Sequence, residues 1–321
     1  MNKQQPELRT SAVMLAGARQ PGRLFRRFFK DRYLILIGLP GLLYFLVYRY
    51  APMLGLYMAF IDFSPFQGIS SSPWVGLLHF RRIFGDQEIL QVLWNTLSIS
   101  FLQITFAFPV PILLALMLNE LRSQVFKRII QSIVYLPHFL SWVVVIGICV
   151  IFLKGDGVVN GLTEQWFGWK PVPFLTSPDY FKPIIVLQVI WKEAGWGTII
   201  ILAALAGVNP QLYEAAVVDG ASRFQQIWHI TLPAIRSTIV ILLILRLGNV
   251  LDSGFEQIFL MLNPFNMETG NVLDTYVFYK GIQQSDYSFA TAVGLFKGFV
   301  GLVLVLSANN LAKRFGEEGV F

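Results

Sequence analysis

The residues of this chain that could do chemistry are polar side chains set inside long apolar runs. An ionisable group there is costly and faces a cavity or a partner. In the run 234–261, Arg246, Asn249, Asp252, Ser253 and Glu256 share an arc of roughly 120° at helical spacing. In the run 183–207, Gln188, Trp191, Lys192 and Gly195 share a face, with Trp196 beside it and Glu193 turned away. Lys297 lies in another run, and His138 follows Pro137 in a further one. Hydrogen-bonding groups beside indole rings suit a saccharide, whose hydroxyls need polar partners and whose C–H faces stack on aromatic rings. The same charges could instead pair among themselves and hold helices together, and at this level both readings stay open. His138 reads as a packed, hydrogen-bonded histidine rather than a proton carrier.

Catalytic patterns are missing. There is no GxxxxGK[ST] phosphate loop, so the chain by itself is not expected to hydrolyse ATP, and no HExxH pair or serine nucleophile elbow occurs. The one cysteine, Cys149, sits within an apolar run and offers neither a disulfide framework nor a cysteine metal site.

The elements that must position these residues are membrane spans. Of 321 residues 55% are hydrophobic and 14% charged, against about 25% charged in a soluble domain. A net charge of +6 raises the question of nucleic acid. The basic residues cluster beside apolar runs, however, so they read as topology signals rather than a nucleic-acid surface. Runs at about 33–51, 92–118, 129–153, 183–207, 234–261 and 288–310 predict an all-α membrane protein of about six transmembrane helices. Pro109 and Pro111 predict a kink in the second. Residues 1–32 carry Arg19, Arg23, Arg26, Arg27, Lys30 and Arg32 and predict a cytoplasmic tail, amphipathic near Leu24–Phe29. Residues 311–321, with Lys313 and Arg314, predict a cytoplasmic C-terminal tail. The stretches 52–89, 154–181 and 262–286 then become outer loops, positioned to receive an external partner.

Between the fourth and fifth runs lies Tyr213–Pro233, YEAAVVDGASRFQQIWHITLP, within a predicted coupling loop of 209–233. Its spacing predicts a short helix, a turn at Gly220 in the left-handed conformation, and Ser222 as cap of a second short amphipathic helix. Pro233 either ends that pattern or seats the next span.

The offsets of Glu214, Ala215, Ala216, Gly220, Ile230, Leu232 and Pro233, with Asp219 and Ala221 also matching, resemble the signature loop of binding-protein-dependent ABC importer permeases. Val75-Gly76-Leu77, Phe80, Phe84, Asp86 and Trp94-Asn95-Thr96-Leu97 resemble the sugar branch of that family, and Leu78-His79 departs from its usual spelling. The likeness is greatest to its oligosaccharide-associated members, with an acidic saccharide such as alginate among the substrates implied. The resemblance implies a type I importer fold, with both termini cytoplasmic, in a bacterial cytoplasmic membrane. It assigns Glu214, Ala215, Ala216, Asp219, Gly220, Ile230, Leu232 and Pro233 to coupling with an ATPase. It implies as partners a second permease subunit, two ATPase subunits holding ATP and Mg, and an extracytoplasmic solute-binding protein. No cofactor is expected in this chain. The rival from another class is an ion-coupled secondary transporter or channel that needs no ATPase.

Overall fold

A computed structural model describes residues 32–316 and Gly319. The expected N-terminal tail, apart from Arg32, and Glu317, Glu318, Val320 and Phe321 of the C-terminal tail lie outside the described residues. Six helices are long and apolar enough to cross a membrane: Leu36–Phe60, Gln87–Asn119, Trp142–Phe167, Pro178–Ala206, Arg223–Gly248 and Tyr287–Arg314. Among the described residues the remaining structure is helical or irregular, apart from one isolated bridge between Ile61 and Trp74.

The chain divides at Tyr57 into two compact units. The first holds α1 (Arg32–Phe45), which continues through a π turn, Leu46–Tyr50, and a 3-10 stretch, Ala51–Phe60, so helical backbone runs beyond the expected end near 51. None of the hydrophobic window of that span is buried.

The second unit comprises α2 (Leu78–Gly85), α3 (Gln87–Leu102), α4 (Pro109–Glu120), α5 (Gln124–Tyr135), α6 (Trp142–Leu153), α7 (Val158–Phe167) and α8 (Pro178–Ala206). It continues with α9 (Pro210–Val218), α10 (Arg223–Gln226), α11 (Leu232–Gly248), α12 (Phe255–Met261), α13 (Leu273–Phe278) and α14 (Tyr287–Arg314). Half of the hydrophobic window of α8 is buried, against 17–22% for the other spans of this unit. That makes α8 the helix around which its neighbours pack. Ile184, Ile185 and Phe181 of α8 meet Ile99, Ile146, Ile258 and Met261, while Ile201 and Leu205 meet Ala115 and Ile235. Gly195 lies flat against the backbone of Val134 and Tyr135, a close approach that no Cβ would permit. Gly301 of α14 does the same at α11, where a Cβ would lie 2.6 Å from the Gly248 carbonyl.

Three of the four π turns among the described residues end two positions before a proline: Leu46–Tyr50 before Pro52, Gln103–Ala107 before Pro109, Ile227–Thr231 before Pro233. Ala51, Phe108 and Leu232, just ahead of each proline, donate to the carbonyl five residues back rather than four. Proline cannot donate, and its ring collides with the carbonyl four residues back; the extra residue in the turn moves that carbonyl aside. The predicted kink at Pro109 is thus realised as a widened turn.

Three sequence expectations change. The run 129–153 is two helices, α5 and α6, separated by a 3-10 turn at Leu136–Phe139 and a fresh cap at Ser141, because Pro137 ends the α pattern. The run 234–261 is also two helices: α11 stops at Gly248, and α12 starts only after Gly254, whose φ is +90°. Finally, 262–286 is not an open loop. Val272, Leu273, Thr275 and Tyr276 in it are almost wholly buried, and Leu273 and Tyr276 pack on Ile83, Ile89, Val92, Phe289 and Val293.

Asn95 and Thr96 of α3 secure this inserted segment. Asn95, fully buried, donates to the carbonyls of Glu268 and Asn271 at 2.8 and 3.1 Å. The Thr96 hydroxyl donates to the Val92 carbonyl and accepts from the Leu273 N–H at 3.0 Å. Replacing Asn95 by Leu strands the buried Asn271 carbonyl, at a cost of roughly 1–3 kcal/mol, and frees the partly buried carbonyl of Glu268. Asn95→Leu is therefore expected to lower the unfolding temperature of the detergent-purified protein by several degrees; an unchanged midpoint would refute the anchoring role.

Candidate functional site

Two cavities flank the C-terminal end of α11. The first, about 450 Å³, lies between α4, α8 and α11 and is lined by Gln103, Glu193, Trp196, Arg246 and Asn249 among apolar neighbours. The second, about 470 Å³, lies between α11 and α14 and is lined by Asn249, Asp252 and Lys297 with Gly294 and Gly298. Asn249 and Leu245 line both. Asn249 is exposed and donates back to the Leu245 carbonyl at 3.1 Å.

Around the first cavity the charges have defined partners. Glu193 pairs through one oxygen with His138 Nδ1 at 2.8 Å and through the other with Lys192 Nζ at 3.4 Å. Lys192 is buried, donates to the His138 carbonyl at 2.7 Å and lies over the Trp142 ring. The His138 ring stacks on Trp196, 4.6 Å between centroids and 8° from parallel, while 47% of Trp196 stays exposed. His138 is thus a packed, hydrogen-bonded residue. Arg246 donates to the Gln103 side chain, which is buried in the π turn ahead of Pro109. In the second cavity Lys297 sits between Asp252, at 3.6 Å, and Asp274, which accepts a hydrogen bond from it.

The predicted polar stripe is therefore dispersed. Its arc assumed an unbroken helix over 234–261, and the helix ends at Gly248. Arg246 and Asn249 reach the first cavity and Asp252 the second. Ser253 is buried, its hydroxyl donating to the Thr96 carbonyl at 3.4 Å, and Glu256 is exposed on α12 away from both linings. Gln188 is buried too: it donates to Cys149 Sγ and accepts from Gln257 at 2.8 Å, within the core behind α8. Trp191 is exposed but lines neither cavity. Glu193, expected to turn away, faces the cavity beside Trp196 because the two stand three residues apart on α8. Sequence reasoning missed Gln103. The available signal was an amide inside an apolar run, six residues ahead of a proline.

The second site is the connection from α8 to α11. Asn209 caps α9, accepting from the Gln211 N–H. At the end of α9, Asp219 and Ala221 donate to the carbonyls of Ala215 and Ala216, and Gly220 takes φ +76°. Ser222 and Gln225 then form a capping box at α10. The turn and its cap match the sequence expectation. The separate second helix does not occur: α10 continues through the π turn and Pro233 into α11, one helical run over Arg223–Gly248. Tyr213 and the buried Thr231 are hydrogen-bonded through their hydroxyls at 3.0 Å, and Arg223 pairs with Glu120 at the end of α4. Glu214, Ala215, Asp219, Gly220 and Pro233 are exposed, and Ala216, Ile230 and Leu232 are half-buried. Val217, Val218, Phe224 and Trp228 are each more than 60% exposed, the two rings stacked at 6.4 Å.

Comparison with known proteins agrees with this geometry. Residues 107–317 match the family model described as binding-protein-dependent transport system inner membrane component. The polygalacturonan/rhamnogalacturonan transport system permease protein YteP of Bacillus subtilis (strain 168) is 50% identical over 299 residues, 93% of each chain. Protein LplB of the same organism is 51% identical over 293 residues, 91% of this chain and 92% of that one. Among solved structures, a bacterial ABC transporter involved in import of the acidic polysaccharide alginate superposes with TM-score 0.84 at 45% identity, over 91% of this chain and 99% of the other. The alginate transporter in complex with its pentasaccharide-bound periplasmic protein gives 0.85 at 44% identity, over 93% and 100%. With the type I importer fold, six membrane-spanning helices and the matching loop, the chain belongs to the family of binding-protein-dependent transport system inner membrane components, multi-pass permease subunits of ABC importers.

Proposed function

We propose that this chain is one of two permease subunits of an ATP-driven importer of oligosaccharides, that its first cavity forms part of the sugar pathway, and that 209–233 couples it to the ATPase. The observation that carries the reading is the unbroken helix Arg223–Gly248. It begins in the exposed connection and ends at the cavity. At about 1.5 Å per residue it spans roughly 39 Å, so displacement at one end reaches the other through a single rigid element. Family membership leaves no support for the ion-coupled alternative.

In this reading Val217, Val218, Phe224 and Trp228 dock on an ATPase subunit, with Glu214 placed for a basic group there; an exposed apolar patch of this kind marks an interaction site. ATP and Mg are held by that partner, and this chain contributes no nucleotide-binding residues. The connection and both termini face the cytoplasm. Closure of two ATPases draws two such connections together, and the spans switch between two states that the bound nucleotide biases. Trp196, Asn249 and Arg246 contact the sugar. Gln188, Lys192, Ser253 and Asp252 hold the bundle around it, while Trp191 and Glu256 lie outside the cavity. The sugars carried by YteP and the alginate importer support an oligosaccharide, acidic sugars included, delivered by a binding protein.

Gly220→Val tests the coupling role. A Cβ at Gly220 meets nothing within 4 Å, so the cost is the left-handed backbone alone, roughly 1–2 kcal/mol. The variant is expected to insert normally and to lose at least tenfold in labelled-oligosaccharide uptake, with the ATPase lost on purification or hydrolysing without transport. Normal uptake with the ATPase bound would rule the role out. For the pathway, Asn249→Leu should lower uptake severalfold while leaving assembly and basal ATP turnover intact; unchanged transport would remove Asn249 from it.

A further inference from the structure

Three basic residues near the two cavities could meet an acidic sugar, and the structure separates them. Lys297 is held between Asp252 and Asp274, and Lys192 is buried against Glu193 and the His138 carbonyl. Arg246 differs. Its hydrogen-bond partner is the uncharged side chain of Gln103, and among the described residues no carboxylate forms an ion pair with it. The two carboxylates whose fields reach it are already engaged, Glu193 with His138 and Lys192, Asp252 with Lys297.

The surroundings fit a sugar acid. Arg246 lines a cavity of about 450 Å³, room for a sugar unit or two, and the exposed Trp196 ring lines it as well. His138 stacks on one face of that ring, and Glu193 pairs with His138 there. A planar guanidinium binds a carboxylate through two parallel N–H donors, and the low dielectric of a membrane cavity strengthens the pair.

We infer that Arg246 is the specificity-determining residue of the pathway, binding the carboxylate of a uronic-acid unit while Trp196 stacks on its ring and Gln103 holds the guanidinium in place. The inference rests on the cavity being part of the sugar pathway and adds the residue that reads the charge of the sugar.

The test uses the assembled complex with its binding protein in proteoliposomes and two substrates, an oligogalacturonate and its carboxyl-reduced neutral counterpart. Both are supplied at concentrations that saturate the binding protein. Arg246→Gln is expected to cut the acid-to-neutral uptake ratio on the order of tenfold, the acid losing far more than the neutral sugar. Gln103→Glu, which gives Arg246 a counter-ion in place, should do the same with Arg246 intact, and Arg246→Lys should restore part of the preference. A ratio unchanged in Arg246→Gln and Gln103→Glu, or an equal fall on both substrates, would overturn the inference. Should Arg246→Gln fail to assemble, Gln103→Glu alone decides. No transport of either sugar by the unmodified complex would instead count against the pathway reading.

Discussion

Every backbone N–H and C=O that leaves a helix inside a membrane must find its partner within the protein, and the rest of this structure depends on how that is met. The chain abandons helical geometry between Gly248 and Phe255, and between Met261 and Leu273 it regains it only for the single turn Met267–Gly270, in the middle of its packed unit. Side chains on both sides of the breaks tie this region to its neighbours. Ser100 of α3 donates to the freed Val250 carbonyl, while Ser253, Gln257 and Asn263 reach outward and donate to the carbonyls of Thr96, Ile185 and Leu175. Asn95 and Thr96 complete the set at the far end. Small polar residues buried in this unit are therefore a supporting frame, and they free the segment to carry Asp252 and Asp274 to Lys297.

The same frame explains why the polar residues of the spans divide into two populations. Those on the α8 face toward α6 and α12, such as Gln188, are consumed by the frame. Those at the end of α11 and on the α8 face toward α4 remain at a cavity. Helical position alone did not separate the populations; the break after Gly248 did.

The presence of six apolar spans, the Gly220 turn and the Ser222 cap were legible in the sequence because each rests on local chemistry: apolar length, a residue without Cβ, a hydroxyl ahead of a helix. The signature loop was legible because its residues have fixed offsets. The fifth run was misread because Leu-, Ile- and Phe-rich sequence on both sides of Gly254 looks continuous to any measure of hydrophobicity, and the hydrogen bonds that stabilise the break come from 150 or more residues away, as with Ser100 and Val250 or Ser253 and Thr96. Glu193 was misplaced for a related reason. The arc on α8 was drawn around Gln188 and Lys192, which the core claims, and the cavity lies on the adjoining face. Gln103 escaped notice because its role is visible only with Arg246 opposite.

The widened turn at Ile227–Thr231 fixes more than the passage past Pro233. Each residue of an α-helix advances about 100° around the axis, so the extra residue in this turn sets the azimuth of everything that follows it on α11. The compass bearing of Arg246 and Asn249 is thus determined some fifteen or more positions upstream, beside the connection from α9 to α10. Removing one residue from the turn would rotate the rest of α11 about its axis and swing Arg246 out of its cavity. In evolution, then, insertions and deletions in this short stretch act on the cavity as strongly as substitutions within it, although none of its residues touches the space they would reshape.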